Sequence, residues 1–145
     1  MTDEPADVPA QVRFAVSSFA PYMGFNWKWH EGPIDGNYDP DANLSVTLHT
    51  VEYATVSSPT QIALYHKGEY KGQGTPIAGA FISVRRDECT DDTVAIRIRI
   101  PGESHVDAKS LHNVNFTWRD GRIYWSGDWP VAAAPLPSWI EANED

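Results

Sequence analysis

Five histidines are the residues of this sequence best suited to hold a metal or move a proton. Their spacing matches neither HxxxH nor HExxH, so a zinc site would have to assemble across strands. His49 and His66 lie on two predicted strands that could be neighbours, which makes them the pair to inspect. A packed or surface histidine is the simpler explanation for each. We therefore predict no metal ion and no other cofactor.

Asp or Asn occupies every second position from Asp35 to Asn43. This pattern is similar to a calcium loop, because hard cations prefer carboxylate and amide oxygens. An EF-hand loop starting at Asp35 would need glycine and glutamate where the sequence has Pro40 and Val46. The pattern favours a turn capped by its own Asx side chains.

The hydroxyl and thiol nucleophiles lie in poor settings for catalysis. Ser58 is not part of a GxSxG elbow. Cys89 is the sole cysteine, and the surrounding carboxylates disfavour its thiolate, so we predict a passive thiol. One hydrolytic alternative stays open, in which Asp39, Ser58 and His66 converge in a cleft.

Aromatic and basic side chains form the best candidate for a ligand-binding site. The aromatic residues exceed what one small core needs, so some could line a patch or groove for a glycan, a peptide or a lipid. Cross-strand pairing within an antiparallel sheet is the plainer explanation. The candidate binding residues are Tyr38, Tyr65, His66, Tyr70, Trp118, Arg119, Arg122 and Tyr124.

Charge is unevenly distributed along the chain, which has a formal net charge of −9. Residues 60–125 carry nine basic against eight acidic side chains, whereas the rest carries two against twelve. So acidic a chain repels phosphate backbones, which argues against a nucleic-acid partner. The basic residues of the predicted sheet either meet an anionic surface or form a solvated face.

The elements that would position these residues are one helix and several strands. Val12, Val16 and Phe19 recur at helical spacing and predict a helix from Pro9 to Phe19. Alternating apolar residues predict strands, with hairpin turns at Lys67-Gly68 and Asp120-Gly121. The predicted strands cover residues 44–53 (with a bulge near 50), 61–66, 80–86, 93–100 and 114–125.

The second turn predicts pairing of Arg119 with Arg122 and of Trp118 with Ile123, and places Tyr124 on the arginine face. Two adjacent guanidinium groups require a nearby acid or a ligand anion. Because turns rather than helices join the strands, we predict an α+β fold: a mainly antiparallel sheet of about six strands, covered on one face by the N-terminal helix.

The length of 145 residues suits one domain. We predict a disordered segment over residues 1–7, a single domain over 8–130 and an Ala/Pro-rich acidic tail over 131–145, in which Trp139 and Ile140 could dock. The sequence has no apolar run long enough to span a membrane and no signal-peptide pattern at its start.

An ordered set of short motifs resembles the LppP/LprE family of actinobacterial envelope lipoproteins over roughly residues 8–130. These motifs are Asn37-Tyr38-Asp39-Pro40, Leu44-Ser45, Ser57-Ser58-Pro59, Gln61, Leu64-Tyr65-His66, Gly68, Tyr70, Gly72 and Thr90-Asp91-Asp92-Thr93-Val94. The family often has a cysteine after the Asp-Pro, where this chain has Asp41, so a disulfide from that position is absent.

The resemblance implies a cell-envelope or extracellular protein, of which this chain would be the mature ectodomain without its leader and tether. The alternative is a cytosolic relative. It favours a non-enzymatic domain that binds a cell-wall glycan, a lipid or an envelope protein through an aromatic and basic sheet face. The alternative is an envelope hydrolase with a polar site near Asp39, Ser58 and His66.

Overall fold

The computed structural model describes residues 8–19, 28–51, 59–74, 77–78, 81–100, 110–129, 137 and 139–142. These ranges contain one α-helix, ten β-strands and a 3-10 turn at Arg86–Glu88. The helix is α1 (Ala10–Ser18), and the strands are β1 (Asp35–Gly36), β2 (Ser45–Thr50), β3 (Pro59–His66), β4 (Glu69–Gln73), β5 (Ile77–Ala78), β6 (Phe81–Val84), β7 (Thr93–Ile100), β8 (Ser110–Arg119), β9 (Arg122–Gly127) and β10 (Glu141–Ala142).

The strands form two sheets of five strands each. In the first sheet the order is β1-β2-β3-β4, with β5 also paired to β3; in the second it is β10-β9-β8-β7-β6. All these pairs are antiparallel except β9 with β10, which is parallel. The α+β class with mainly antiparallel strands is confirmed. The prediction of a single sheet of about six strands is wrong, since the described strands divide between two sheets.

The main core lies between the two sheets. Alternate residues of β2 and β3, such as Leu48 and Ile62, meet alternate residues of β7 and β8, such as Ile96 and Phe116, and all four are fully buried. Strand residues with period two point to one face of a sheet, so these positions form a continuous apolar surface on each sheet. We call these the inner faces.

Helix α1 covers the outer face of the first sheet. Its buried residues Val12, Ala15 and Val16 pack in a second cluster with Ala63 and Tyr65 of β3. The boundaries agree with the predicted helix within one residue at each end. Both faces of β2 and β3 are therefore buried, whereas the sequence pattern predicted strands with only one buried face.

The bulge predicted near Thr50 is wrong. The pairing of β2 with β3 runs without a shift from Ser45↔Tyr65 to Thr50↔Thr60. Val51 and His49 lie on the same side of the strand, and that side is also buried, under α1. Apolar residues therefore occur on both faces of β2 and its extension without any break in alternation. The register shift in this sheet falls instead between Leu64 and Tyr65, where β3 pairs with β4.

Both predicted hairpin turns are confirmed. Lys67 and Gly68 have φ angles of 50° and 81°, and Asp120 and Gly121 have φ angles of 55° and 78°. Two consecutive positive φ angles match the twist of a tight two-residue hairpin.

Two contacts close the space between the sheets at its two edges. At one edge, Asp35 of β1 accepts hydrogen bonds from the backbone N–H of Val84 (2.9 Å) and from Arg86 (2.6 Å). At the other edge, the indole of Trp139 lies on Gly72 of β4, while β10 pairs with β9 of the second sheet. Residues 139–142, which the sequence placed in a tail, thus contact both sheets. The predicted N-terminal segment 1–7 lies outside the described residues.

Candidate functional site

Three of the candidate binding residues belong to the core beneath α1. Tyr65 has no exposed surface, and its ring centroid lies 4.9 Å from that of Tyr38 and 5.9 Å from that of Tyr70. Burial raises the pKa of all three phenols, that of Tyr70 to about 12. Tyr38 donates a hydrogen bond to the carbonyl oxygen of Gly68 (2.8 Å), which attaches the hairpin turn to the loop after β1. These tyrosines therefore hold the helix and the turn in place, and Tyr65 offers no surface to a ligand.

His66 of β3 and Trp118 of β8 meet between the two sheets. The rings of His66 and Trp118 stack with centroids 3.7 Å apart and an angle of 11° between their planes. Nδ1 of His66 donates to the carbonyl oxygen of Asn43 (2.8 Å), because a carbonyl oxygen can only accept. Trp118 and Arg122 line a cavity of about 140 Å³ together with Trp139 and other residues. The cavity has aromatic walls and is large enough for one small group.

Arg119 and Tyr124 lie on the outer face of the second sheet. The guanidinium carbon of Arg119 is 4.2 Å from the centroid of the Tyr124 ring, a cation–π contact. Arg119 pairs with Arg122 as predicted, and Arg122 forms an ion pair with Glu141 of β10. Glu141 is thus the nearby acid that two adjacent arginines required.

Two further arginines lie on the same face, at its other end. Val94, Ile96 and Ile98 point into the core with no exposed surface, so Arg97 and Arg99 point outward, and both are exposed. No carboxylate of the described residues lies within ion-pair distance of either one. We call this outer surface, with Arg97, Arg99, Arg119, Arg122 and Tyr124, the basic face. The alternation of β7 was the signal that could have identified Arg97 and Arg99 as candidates.

The motif around Asn37 lines a larger pocket of about 380 Å³, between the loop after β1 and the loop that includes Cys89. Asn37 Oδ1 accepts the backbone N–H of Val46 (2.9 Å), and Asp39 Oδ1 accepts that of Asp41 (2.9 Å), so the predicted Asx turn is confirmed. The described residues contain no group of three or more potential metal ligands. These polar groups already stabilise the loops that form the pocket.

The geometry gives no support to the hydrolytic arrangement. Ser58 lies outside the described residues, but its neighbour Pro59 is at the opposite end of β3 from His66, roughly 23 Å away at about 3.3 Å per residue. Asp39 and His66 each bond to the backbone.

His49 and His66, the candidate pair for a metal site, also lie far apart. His49 pairs with Gln61 and not with a residue near His66, from which it is separated by roughly 17 Å along the strands. Both rings make structural contacts, and the pair cannot share a metal ion.

The described residues define a class of three-layer α+β protein, with one helix over one sheet and a basic outer face on the other. Residues 36–121, more than half of the chain, match the family model described as LppP/LprE lipoprotein. The chain belongs to the LppP/LprE lipoprotein family. This family relates it to proteins of the bacterial envelope, and its description states no catalytic activity.

Curated mycobacterial relatives agree with this assignment. The chain is 29% identical over 101 residues to proteins named "Putative lipoprotein LprE" from Mycobacterium tuberculosis and Mycobacterium bovis, a match that covers 69% of this chain and 46% of each relative. The protein of the same name from Mycobacterium leprae is 32% identical over 68 residues, which is 47% of this chain and 34% of the relative. The chain thus spans less than half the length of these relatives. No solved structure gives a significant match.

Among the described residues, no helix is long and apolar enough to cross a membrane.

Proposed function

We propose that this protein is a non-enzymatic binding module of the cell envelope, and that its basic face receives an anionic envelope component. The observation that carries the proposal is the exposure of Arg97 and Arg99 without a carboxylate partner among the described residues. Membership in a lipoprotein family supports a place in the envelope.

Charge distribution supports an anionic partner. The whole chain has a formal net charge of −9, so most of its surface repels an anion. The outward positions of β7 present two guanidinium groups side by side, and a guanidinium can hold a phosphate or carboxylate through two parallel hydrogen bonds. The second arginine pair at the other end of the face is already occupied, Arg119 by Tyr124 and Arg122 by Glu141. Binding should therefore depend most on Arg97 and Arg99.

The positions of the polar residues favour binding over catalysis. His49 and His66 are held by backbone carbonyl oxygens, and neither has an acid within hydrogen-bonding distance in the part of the chain that is described. The hydroxyl that contacts His49, that of Thr47, is buried and therefore not accessible to a substrate. The charged groups of the basic face are arginines, which stay protonated and so suit anion binding better than proton transfer.

A double charge reversal tests the proposal. Arg97→Glu with Arg99→Glu should weaken binding to the anionic envelope fractions (lipoglycan, peptidoglycan fragments or membrane extract) by at least about tenfold. Arg13→Glu with Lys28→Glu is the matched control, because both residues are exposed, neither belongs to the second sheet, and the net charge changes equally. The control should bind within about twofold of the wild type. Isothermal titration or co-sedimentation at physiological salt measures both.

Equal weakening by the two double variants would mean that net charge and not the basic face determines binding. Absence of wild-type binding to every fraction would overturn the proposal.

A further inference from the structure

Two large apolar side chains are exposed beside Arg99. Phe81 of β6 and Leu111 of β8 have 45% and 51% of their surface exposed, and both pair in register with Arg99 of β7. They are two of only four exposed large apolar residues in the described ranges, the others being Phe14 and Ile34. The two lie two strands apart, roughly 10 Å, with the arginine between them.

The arrangement is amphipathic on a small scale. The guanidinium carbon of Arg99 lies 4.9 Å from the centroid of the Phe81 ring, so the cation and the aromatic ring point to the same side of the sheet. Arg97 lies two residues away along the same outward row of β7, between Ser83 and Asn113. We call Phe81, Arg97, Arg99 and Leu111 the Arg99 patch. It combines two cations that have no carboxylate partner among the described residues with two apolar side chains.

We infer that the Arg99 patch docks on the surface of an anionic membrane, an inference that rests on the proposed binding function. Headgroup phosphates match the guanidinium groups, and the boundary between headgroups and acyl chains can take up the phenyl and isobutyl groups. A soluble anionic polymer would satisfy the arginines and leave Phe81 and Leu111 in water. The membrane surface is the partner that satisfies both kinds of side chain.

A second copy of the chain fits the patch poorly. A symmetric dimer through this surface would place Arg97 and Arg99 of one copy against the same arginines of the other. Like charges brought together in an interface disfavour association. Charge complementarity therefore points to a lipid surface and not to self-association.

Vesicle co-sedimentation tests the inference. The wild type should bind vesicles of phosphatidylcholine that contain phosphatidylglycerol, should bind phosphatidylcholine alone much more weakly, and should lose affinity as salt is added. Arg97→Gln with Arg99→Gln should weaken binding to the anionic vesicles about 25-fold, or about fivefold for each charge removed. Phe81→Ser with Leu111→Ser should weaken it by a similar factor, because the apolar groups then no longer enter the interface.

A matched apolar control is available in the same chain. Phe14→Ser with Ile34→Ser removes the other two exposed apolar residues, which are 54% and 53% exposed, and should leave vesicle binding unchanged. Equal loss in this control and in the Phe81/Leu111 variant would overturn the inference, because general hydrophobicity would then explain binding. Circular dichroism of each variant verifies that the fold is retained.

The same variants separate failure of the inference from failure of the proposed function. Dextran sulfate serves as a soluble anionic probe without an apolar phase. If the wild type binds dextran sulfate and soluble envelope polymers through Arg97 and Arg99 but does not bind anionic vesicles, the membrane inference is wrong and the proposed function stands. If charge reversal at Arg97 and Arg99 changes binding neither to dextran sulfate nor to anionic vesicles, the membrane inference and the proposed function are both wrong.

Discussion

Acidification should destabilise this protein through His49, a histidine with no exposed surface. Burial lowers the pKa of its imidazole from the usual 6.5 to about 4, because the charged ring cannot be hydrated beneath α1; a hydrogen bond to the carbonyl oxygen of His30 partly offsets this. The ring of Phe19, the residue that follows α1, covers the imidazole at the end of the helix, with its centroid 5.5 Å from that of the imidazole.

The hydrogen bonds around His49 fix its neutral form. The carbonyl oxygen of His30 can only accept, so Nδ1 carries the proton and donates (2.9 Å). Nε2 then accepts from the hydroxyl of Thr47 (2.8 Å), which in turn accepts from the hydroxyl of Tyr65 (2.7 Å). A second proton on Nε2 would place a donor against the donating hydroxyl of Thr47. The chain of bonds would have to reverse inside the core.

The magnitude follows from the pKa difference. The unfolded chain takes up a proton on this histidine below a pH of about 6.5, whereas the folded chain does not do so until about 4. The stability that neutral His49 contributes is fully present above a pH of about 6.5. The free energy of unfolding therefore falls as the pH falls from about 6.5 to about 4. The loss amounts to about 3 kcal/mol at about 1.4 kcal/mol for each pKa unit. That is a large part of a typical stability of about 5–15 kcal/mol.

Urea unfolding at pH values of about 7 and about 4.5 measures the effect, since most exposed carboxyl groups are still ionised at the lower value. The wild type and His30→Gln, which removes an exposed imidazole, should lose about 2–3 kcal/mol between the two pH values, because the lower pH is still above the pKa of His49 in the folded chain. His49→Gln should show a much smaller loss, although it is less stable at neutral pH. An NMR titration of the His49 ring provides a measurement that does not depend on the variant. Equal losses in the wild type and His49→Gln, or a ring that titrates near 6.5, would refute the reasoning.

Two further substitutions test the packing. A Cβ on Gly72 would lie 2.5 Å from Cζ2 of Trp139, so Gly72→Ala should reduce the free energy of unfolding in urea by about 1–3 kcal/mol. Gly74→Ala is the control: its Cβ would meet its nearest atom at 3.5 Å, so this variant should not show the loss from overpacking. Equal effects of the two substitutions would contradict the docking of Trp139. Tyr65→Phe removes the donor to Thr47 and should cost about 1 kcal/mol in the same assay, and no change would mean that this bond adds nothing.

The second hairpin shows what local sequence could predict about the site. Asp120-Gly121 determines the turn, the turn determines the register, and the register places Arg119, Arg122 and Tyr124 on one face, as found. The acid that balances the two arginines, Glu141, comes from β10. Its parallel pairing with β9 had no signal in the sequence, because nothing local links the C-terminal segment to that strand.

Tyr65 shows where the same reasoning could not succeed. Its position on a face opposite Ile62 and Leu64 indicates exposure only if that face is open to solvent. The residues that cover it come from α1, roughly 50 positions earlier in the chain. A pattern of period two identifies two faces of a strand but does not state what packs on each.

The sequence by itself determined the elements whose signals are local: the helix near Ala10–Ser18, the alternation of β7, both hairpin turns and the register of the second hairpin. The tertiary structure alone decided that the strands divide into two sheets, that α1 covers the first sheet, and that none of the described elements packs over Arg97 and Arg99 on the outer face of the second. The physical reason is that turn conformation and side-chain alternation depend on neighbouring residues. Burial of a face depends on apolar surface contributed from distant parts of the chain.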